Sequence, residues 1–423
     1  MHSIIRDSSV VCSRGLSCKP LFCLWIVLCC GVIEGRAQTQ PSPPSQPPEQ
    51  TQPQPQPTQT PTNQQTQKPP ISTAQQAAPQ LTLGKKKEDK KRGAFVAAPI
   101  PTSSAAIGTG VQLMAGYIFP ISKNDKISPP SVLGGLGLIT NNGTTAWGVG
   151  TELYFKQDHY KVLTGYGHGD LDYDFYGTGN AAGNAGLAFG LNQVGSVFFG
   201  SALRRIFYQF FIGPRFWFGN STLAPQHLQE NFPNLPPLHV SFLMRAIGLK
   251  VERDTTINRF YPTQGSMINF SGDFFSQDIG STFSFQTYRF AYDKFHSYGP
   301  KQVLAYNAYV CTTGGRAPFF GQCIFGMQNE LRGYPAGRYI DKDMLATQLE
   351  YRRVLFWRLG AVAFGGLGEV GPSWGEFNYT NLLPSVGGGA RFNLSTKYHV
   401  NLRADIAQGR DQHTFSMGLG EAF

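Results

Sequence analysis

The sequence is short of charge, of cysteine and of long apolar runs. Only 15% of its 423 residues are charged, against about 25% in globular chains, which weighs against a string of ordinary soluble domains. Beyond an N-terminal leader, no apolar run approaches the roughly 20 residues that a spanning helix needs. Five of the seven cysteines (Cys12, Cys18, Cys23, Cys29 and Cys30) crowd the leader, and only Cys311 and Cys323 remain. Those two either close one disulfide in an oxidising compartment or stay as two thiols. Catalytic signatures are also missing: there is no Gly-x-Ser-x-Gly elbow, no His-Glu-x-x-His, no paired Cys-x-x-Cys and no phosphate-cradling loop before a helix. His168, His296, His399 and His413 are scattered. His399 and Asp405 share strand parity but lie about 20 Å apart along a strand. The chain reads as a non-enzyme without cofactor or metal.

What the sequence does have is glycine (49 residues), phenylalanine (32) and tyrosine (18). Glycine and aromatics with little charge suit a barrel in lipid, whose strands alternate lipid-facing and lumen-facing residues and so hide their membrane signal from any average. The formal charge is +10, but the densest basic run, Lys85 to Arg92, lies in a tail and describes no groove. That argues against nucleic acid as a partner.

Three regions follow. Residues 1–37 read as a signal peptide: Arg6, Arg14 and Lys19 precede the apolar stretch Leu21–Ile33, and Gly35-Arg36-Ala37 offers a cleavage site. The bulky Leu28 before Cys29 argues against lipoprotein processing, and an uncleaved anchor is the other reading. Residues 38–94 are a Pro/Gln-rich tail ending in the basic run. With almost no large apolar residue, the tail cannot offset its chain entropy and is expected to be disordered. It is either a tether to anionic lipid or cell-wall polymer, or a solvated linker.

From 95 to 423 the pattern changes to segments that alternate apolar and polar residues between Gly, Asn, Asp and Pro turns. In Trp147–Lys156, Trp147, Val149, Thr151, Leu153 and Phe155 share one face. In Tyr398–Ile406, Tyr398, Val400, Leu402, Ala404 and Ile406 face one way and His399, Asn401, Arg403 and Asp405 the other. Period two places successive side chains on opposite faces of a sheet. Ile206-Phe207-Tyr208-Gln209-Phe210-Phe211 and Phe216-Trp217-Phe218 look like interfacial girdles. About fifteen such segments run from near 108–119 to 412–423, and an even-numbered barrel calls for one more, expected in the Gly/Asn-rich 171–190 region. The fold class is therefore all-β: a transmembrane antiparallel β-barrel of about 16 strands. In the last segment Phe415, Met417, Leu419, Glu421 and Phe423 fall on one face, and Phe423 resembles the terminal aromatic of an outer-membrane barrel signal. Glu421 stands where an apolar residue is usual.

Several motifs resemble those of the bacterial surface-antigen (BamA/TamA-type) superfamily. They are Pro99-Ile100-Pro101 followed by Ile107-Gly108-Thr109-Gly110, then Tyr173-Asp174-Phe175-Tyr176-Gly177, and the turn Asn258-Arg259-Phe260-Tyr261-Pro262-Thr263-Gln264-Gly265. The most specific is Leu331-Arg332-Gly333-Tyr334, similar to the family's Val-Arg-Gly-Phe/Tyr in a long loop that folds back into the lumen. The resemblance implies that Arg332 pairs with an acid in a wall motif of the form Phe-x-Asp-x-Gly. Here that stretch reads Leu367-Gly368-Glu369-Val370-Gly371, making Glu369 the expected partner. Glu350, Arg391, Arg403 and Asp405 have inward parity and are expected to support the lock. Independently of any family, a guanidinium fork meets a carboxylate with two bonds, and in a partly hydrated lumen such a pair is expected to contribute about 1–3 kcal/mol.

The resemblance further implies an outer-membrane location, contact with outer-membrane lipids, and a role in inserting or translocating unfolded outer-membrane or secreted proteins, or other cargo. The family's usual polypeptide-transport-associated domains have no counterpart in the segment before the barrel, which implies a periplasmic partner that supplies them. The alternative is a plugged structural barrel acting as surface antigen, adhesin or anchor.

Overall fold

The computed structural model describes residues 93–104, 108–226, 238–258, 260–326 and 330–423. The expected signal peptide and all but the last two residues of the expected tail lie outside these residues, as do Ile107 and Arg259 of the quoted motifs.

Sixteen strands form one antiparallel sheet in chain order, each paired with the next. They are β1 (Ala94–Ser104), β2 (Gly108–Phe119), β3 (Ser131–Thr140), β4 (Thr145–Phe155), β5 (Tyr160–Phe175), β6 (Phe189–Arg205), β7 (Phe210–Pro225), β8 (Val240–Asp254), β9 (Gly265–Phe275), β10 (Phe285–Ser297), β11 (Gln302–Gly315), β14 (Asp343–Phe356), β15 (Leu359–Gly371), β16 (Leu383–Ser395), β17 (Val400–Gln408) and β18 (His413–Leu419). A two-stranded hairpin, β12 (Cys323–Ile324) with β13 (Ile340–Asp341), stands apart within the β11–β14 connection. One short helix, α1 (Asn180–Ala185), follows β5. No helix among the described residues is long and apolar enough to cross a membrane.

The sixteenth strand is not where the sequence led us to expect it. It is β1, ahead of the first expected segment, whereas 171–190 holds the end of β5, the helix α1 and the start of β6. Two prolines in β1, Pro99 and Pro101, disguise it. Proline cannot donate to a ladder and is tolerated on edge strands, and β1 has a ladder on one side only, with β2.

Alternation holds along the wall. Val111, Leu113, Leu133, Trp147, Val149, Ile247, Leu349, Ile406 and Phe415 are exposed on the outer face. Lys161, Glu252, Asp273, Gln348, Glu350, Arg391 and Asp405 are buried on the inner one. Ile206, Phe207 and Tyr208 are exposed in the turn before β7, as a girdle requires. Phe211 and Trp217 depart from that expectation: Phe211 is buried opposite Glu252, and Trp217 pairs with Ala246 of β8, which is buried, and faces the lumen.

Among the described residues no hydrogen-bonded ladder joins β18 back to β1, although the two strands lie side by side. Side chains close this seam instead. Val96 of β1, Ile118 of β2 and Val400 of β17 pack together, with Phe260, Tyr398 and Leu419 against them.

Candidate functional site

The long β11–β14 connection re-enters the barrel. Near its root, Cys311 of β11 and Cys323 of β12 form a disulfide, which resolves the open question of those two thiols. Phe325, Tyr334 and Tyr339 then stack edge-to-face on one another in a cluster that also buries Leu331, Met344, Val370 and Leu383. Gly333 has φ +105, and a Cβ there would lie 3.0 Å from Ser385 Oγ and 3.1 Å from the backbone nitrogen of Gly409. Only glycine accepts both the left-handed backbone and the close approach. The turn at Gly333 drives Arg332 toward the wall.

Arg332 Nε donates to Gln348 Oε1 at 2.8 Å, Nη2 lies 2.6 Å from Glu350 Oε2, and Nη1 donates to Asp405 Oδ2 at 2.9 Å. The guanidinium plane sits 3.4 Å over the Phe364 ring. The Arg332 carbonyl accepts from the Ser385 hydroxyl. Tyr334 donates to the Pro384 carbonyl at 2.6 Å and accepts from the Arg410 backbone at 3.0 Å. Burial pushes the Tyr334 hydroxyl up to about 12, so it remains a donor at any physiological pH. Around this centre Arg391 meets Asp405 at 2.5 Å and Glu421 at 2.7 Å, and Arg352 meets Glu350 at 2.6 Å. Arg403 reaches Asp405 at 3.7 Å. Four guanidinium groups thus share three carboxylates. The side chains of Arg332, Glu350 and Asp405 are 3%, 0% and 1% exposed, drier than the hydrated lumen expected from sequence.

Leu331, Arg332, Gly333, Tyr334, Glu350, Arg391, Arg403 and Asp405 therefore come together. Glu369 does not. In β15 the inward positions are Val362, Phe364, Gly366, Gly368 and Val370, paired with inward residues of β14. Glu369 has the opposite parity, and its carboxylate accepts the backbone N–H of Asn378 at 2.8 Å in the next connection. Gln348 was missed, although it shares parity with Glu350 two residues away.

The final segment is the second correction. β18 stops at Leu419; Gly420, at φ +85, turns the chain inward, and its N–H bonds the Asn401 carbonyl at 2.7 Å. Glu421 joins the charged centre. Phe423 packs against Phe295, Val303 and Ala305 of β10 and β11, with Arg352 over its ring and donating to its carbonyl at 2.9 Å. Residues 420–423 do not continue the last strand. The oddity of Glu421 was the sequence signal for this: a charge amid apolar alternation needs a polar site.

The opposite side of the lumen is built differently. A cavity of about 950 Å³ lies inside β2–β8, lined by Met114, Leu136, Val197, Phe199, Trp217 and Met244 among others, with Phe320 of the long connection and Phe260 of the β8–β9 turn also on its wall.

No protein-family model matches the chain, and no curated protein does. Solved structures do. BamA from Haemophilus ducreyi, lacking POTRA domains 1–3, is similar with a TM-score of 0.50 and 14% identity, over 78% of this chain and 70% of that one. The fold is that of the BamA barrel. CdiB from Acinetobacter baumannii (TM-score 0.51, 11% identity, 78% of this chain) and CdiB from Escherichia coli (TM-score 0.52, 12% identity, 77%) share it. The chain spans 60% and 62% of the two CdiB chains. The BamA-type barrel here thus combines a re-entrant connection, a charged centre around Arg332 and an unladdered seam.

Proposed function

We propose that this chain is an outer-membrane member of the surface-antigen superfamily that inserts or translocates polypeptides through its β1–β18 seam. The observation that carries the reading is the seam itself. Among the described residues fifteen successive strand pairs are laddered and the closing pair is not, so on this reading opening the wall there parts the packing of Val96, Ile118 and Val400 rather than a ladder. An edge strand exposed in lipid carries unpaired donors and acceptors that an incoming strand satisfies. The Arg332 centre is the proposed lock: it holds the long connection to β14 and β17 on the far side of the lumen from the β2–β8 cavity. Partners on this reading are outer-membrane lipids, unfolded outer-membrane or secreted proteins, and a periplasmic protein that delivers them. The role is transport, not catalysis.

The test is a cysteine pair, one residue in β1 and one in β18, in a host dependent on the chain. Oxidation is expected to abolish assembly or secretion and reduction to restore it; unchanged activity in the oxidised state would refute a lateral route. One observation favours a second reading, a plugged scaffold: the connection and residues 420–423 fill one side of the lumen. A scaffold shows no bilayer conductance with or without Arg332, whereas a transporter conducts more once Arg332→Ala frees the connection.

A further inference from the structure

The β2–β8 cavity has a chemistry that protein translocation does not call for. Its inward wall is rich in glycine: Gly148 faces Gly167 across β4 and β5, and Gly219 faces Val197 across β6 and β7. What projects between the glycines is apolar, including Met114, Leu136, Trp217 and Met244. The few polar groups on the wall are already matched. Gln193 donates to Ser221 at 2.9 Å and accepts from Tyr173 at 2.8 Å, and Glu152 holds Lys161 at 3.0 Å.

These pairings decide the class of occupant. A polypeptide lodged here would bring backbone donors and acceptors to a wall with no partners for them, each costing about 1–3 kcal/mol. An unbranched hydrocarbon brings none and gains by burial, and apolar cavities take up apolar guests where they exclude water. The shape agrees. Along β5 the lining runs from Leu163 to Leu171, about 26 Å at 3.3 Å per residue, a length that accommodates an extended chain. Access agrees as well: the lining includes Val96, Ile118, Val400 and Leu419, the seam residues themselves.

We infer that this chamber is a binding site for a long acyl chain, taken from the surrounding lipid through the β1–β18 seam. The inference rests on the wall lying in a bilayer, but not on polypeptide transport, and stands if the transport reading fails.

Two substitutions fill the chamber without disturbing the wall. A Cβ on Gly116 would meet only the Leu133 carbonyl at 3.7 Å, and one on Gly167 only the Trp147 carbonyl at 3.6 Å and Val197 at 3.8 Å. Gly137, of outward parity, has nothing within 4 Å of a Cβ, so Gly137→Leu is the control that adds the same bulk on the lipid side. The full chain, released from detergent in a native mass spectrometer, is expected to retain one acyl-bearing adduct. The adduct's mass separates a free fatty acid from a phospholipid, and added palmitate should compete with it. Gly116→Leu/Gly167→Leu should lower retention by about tenfold or more, and Gly137→Leu should leave it unchanged. An adduct equally retained in the filled and control variants is annular lipid, and overturns the site; so does a wild-type chain that retains none.

Should the filled variant not fold, fluorescence answers the same question. In protein carrying Trp25→Phe, Trp147→Phe, Trp357→Phe and Trp374→Phe, dibromostearate is expected to quench Trp217. Trp217 emission that stays unquenched, while outward Trp147 is quenched in the reciprocal protein, refutes the proposal.

Discussion

The two sides of the lumen solve one problem in opposite ways. A sixteen-stranded wall encloses more space than its own inward side chains fill. Beneath β10–β18 the space is taken by chain that folds back in, and the wall supplies Glu350, Arg352, Arg391 and Asp405 to hold it. Beneath β2–β8, among the described residues, only side chains such as Phe260 and Phe320 reach in from the connections, and the wall supplies glycine. The same inward parity therefore carries a charge network on one side and an apolar hollow on the other. Lumen-facing does not by itself mean wet or polar; what the position faces decides that.

Four measurements test this contrast. The largest effect is expected at Arg332. Arg332→Ala strands Glu350, Asp405 and Gln348 in a dry site, and loss of one partner of a buried pair costs about 3–5 kcal/mol, read as a lower denaturation midpoint. A cost under about 1 kcal/mol would mean that water reaches the pair, as for surface bridges. Arg332→Lys should recover only part of the loss, because an ammonium cannot span three acceptors as the fork does.

Opening the disulfide comes next. Cys311 and Cys323 are 12 apart in sequence, and a closed loop of that order contributes about 3 kcal/mol. The double serine variant should unfold earlier by about that amount and become protease-sensitive in the long connection. An unchanged midpoint would show that the aromatic cluster alone holds the connection.

A single methyl group compares the two sides directly. At Gly366, in the filled side, a Cβ would lie 2.3 Å from the Thr347 carbonyl and 2.6 Å from Leu331, so Gly366→Ala should cost about 1–3 kcal/mol by overpacking. At Gly167, in the hollow side, the nearest atom is 3.6 Å away, and Gly167→Ala should shift stability by under about 0.5 kcal/mol. Equal effects would erase the contrast.

A loss smaller than at Gly366 is expected at Gly420, where a Cβ meets nothing within 4 Å but φ is +85. Gly420→Ala tests backbone strain alone, about 1 kcal/mol, and should loosen Glu421 from Arg391.

Most of the wall was legible because period two is a local property. An extended backbone sends Trp147 and Val149 one way and Glu152 the other whatever lies beyond, so most strand positions and inward charges could be read from the order of residues, whereas the re-entrant Arg332 came only from the resemblance of Leu331-Arg332-Gly333-Tyr334 to a family motif. Where local signals conflicted, the reading slipped: prolines hid β1, and a glycine-rich loop stood in for the missing strand.

The order of residues alone carried the alternation of most wall strands, because the side-chain direction along an extended backbone is set within a few residues. Only the tertiary structure decided who meets whom: Glu350 and Asp405 rather than Glu369 at Arg332, Phe423 in the lumen rather than on the wall, Cys311 joined to Cys323, and a hollow beneath β2–β8. Those outcomes depend on where sixteen strands bring a distant connection back into the barrel, and no residue's immediate neighbours carry that information.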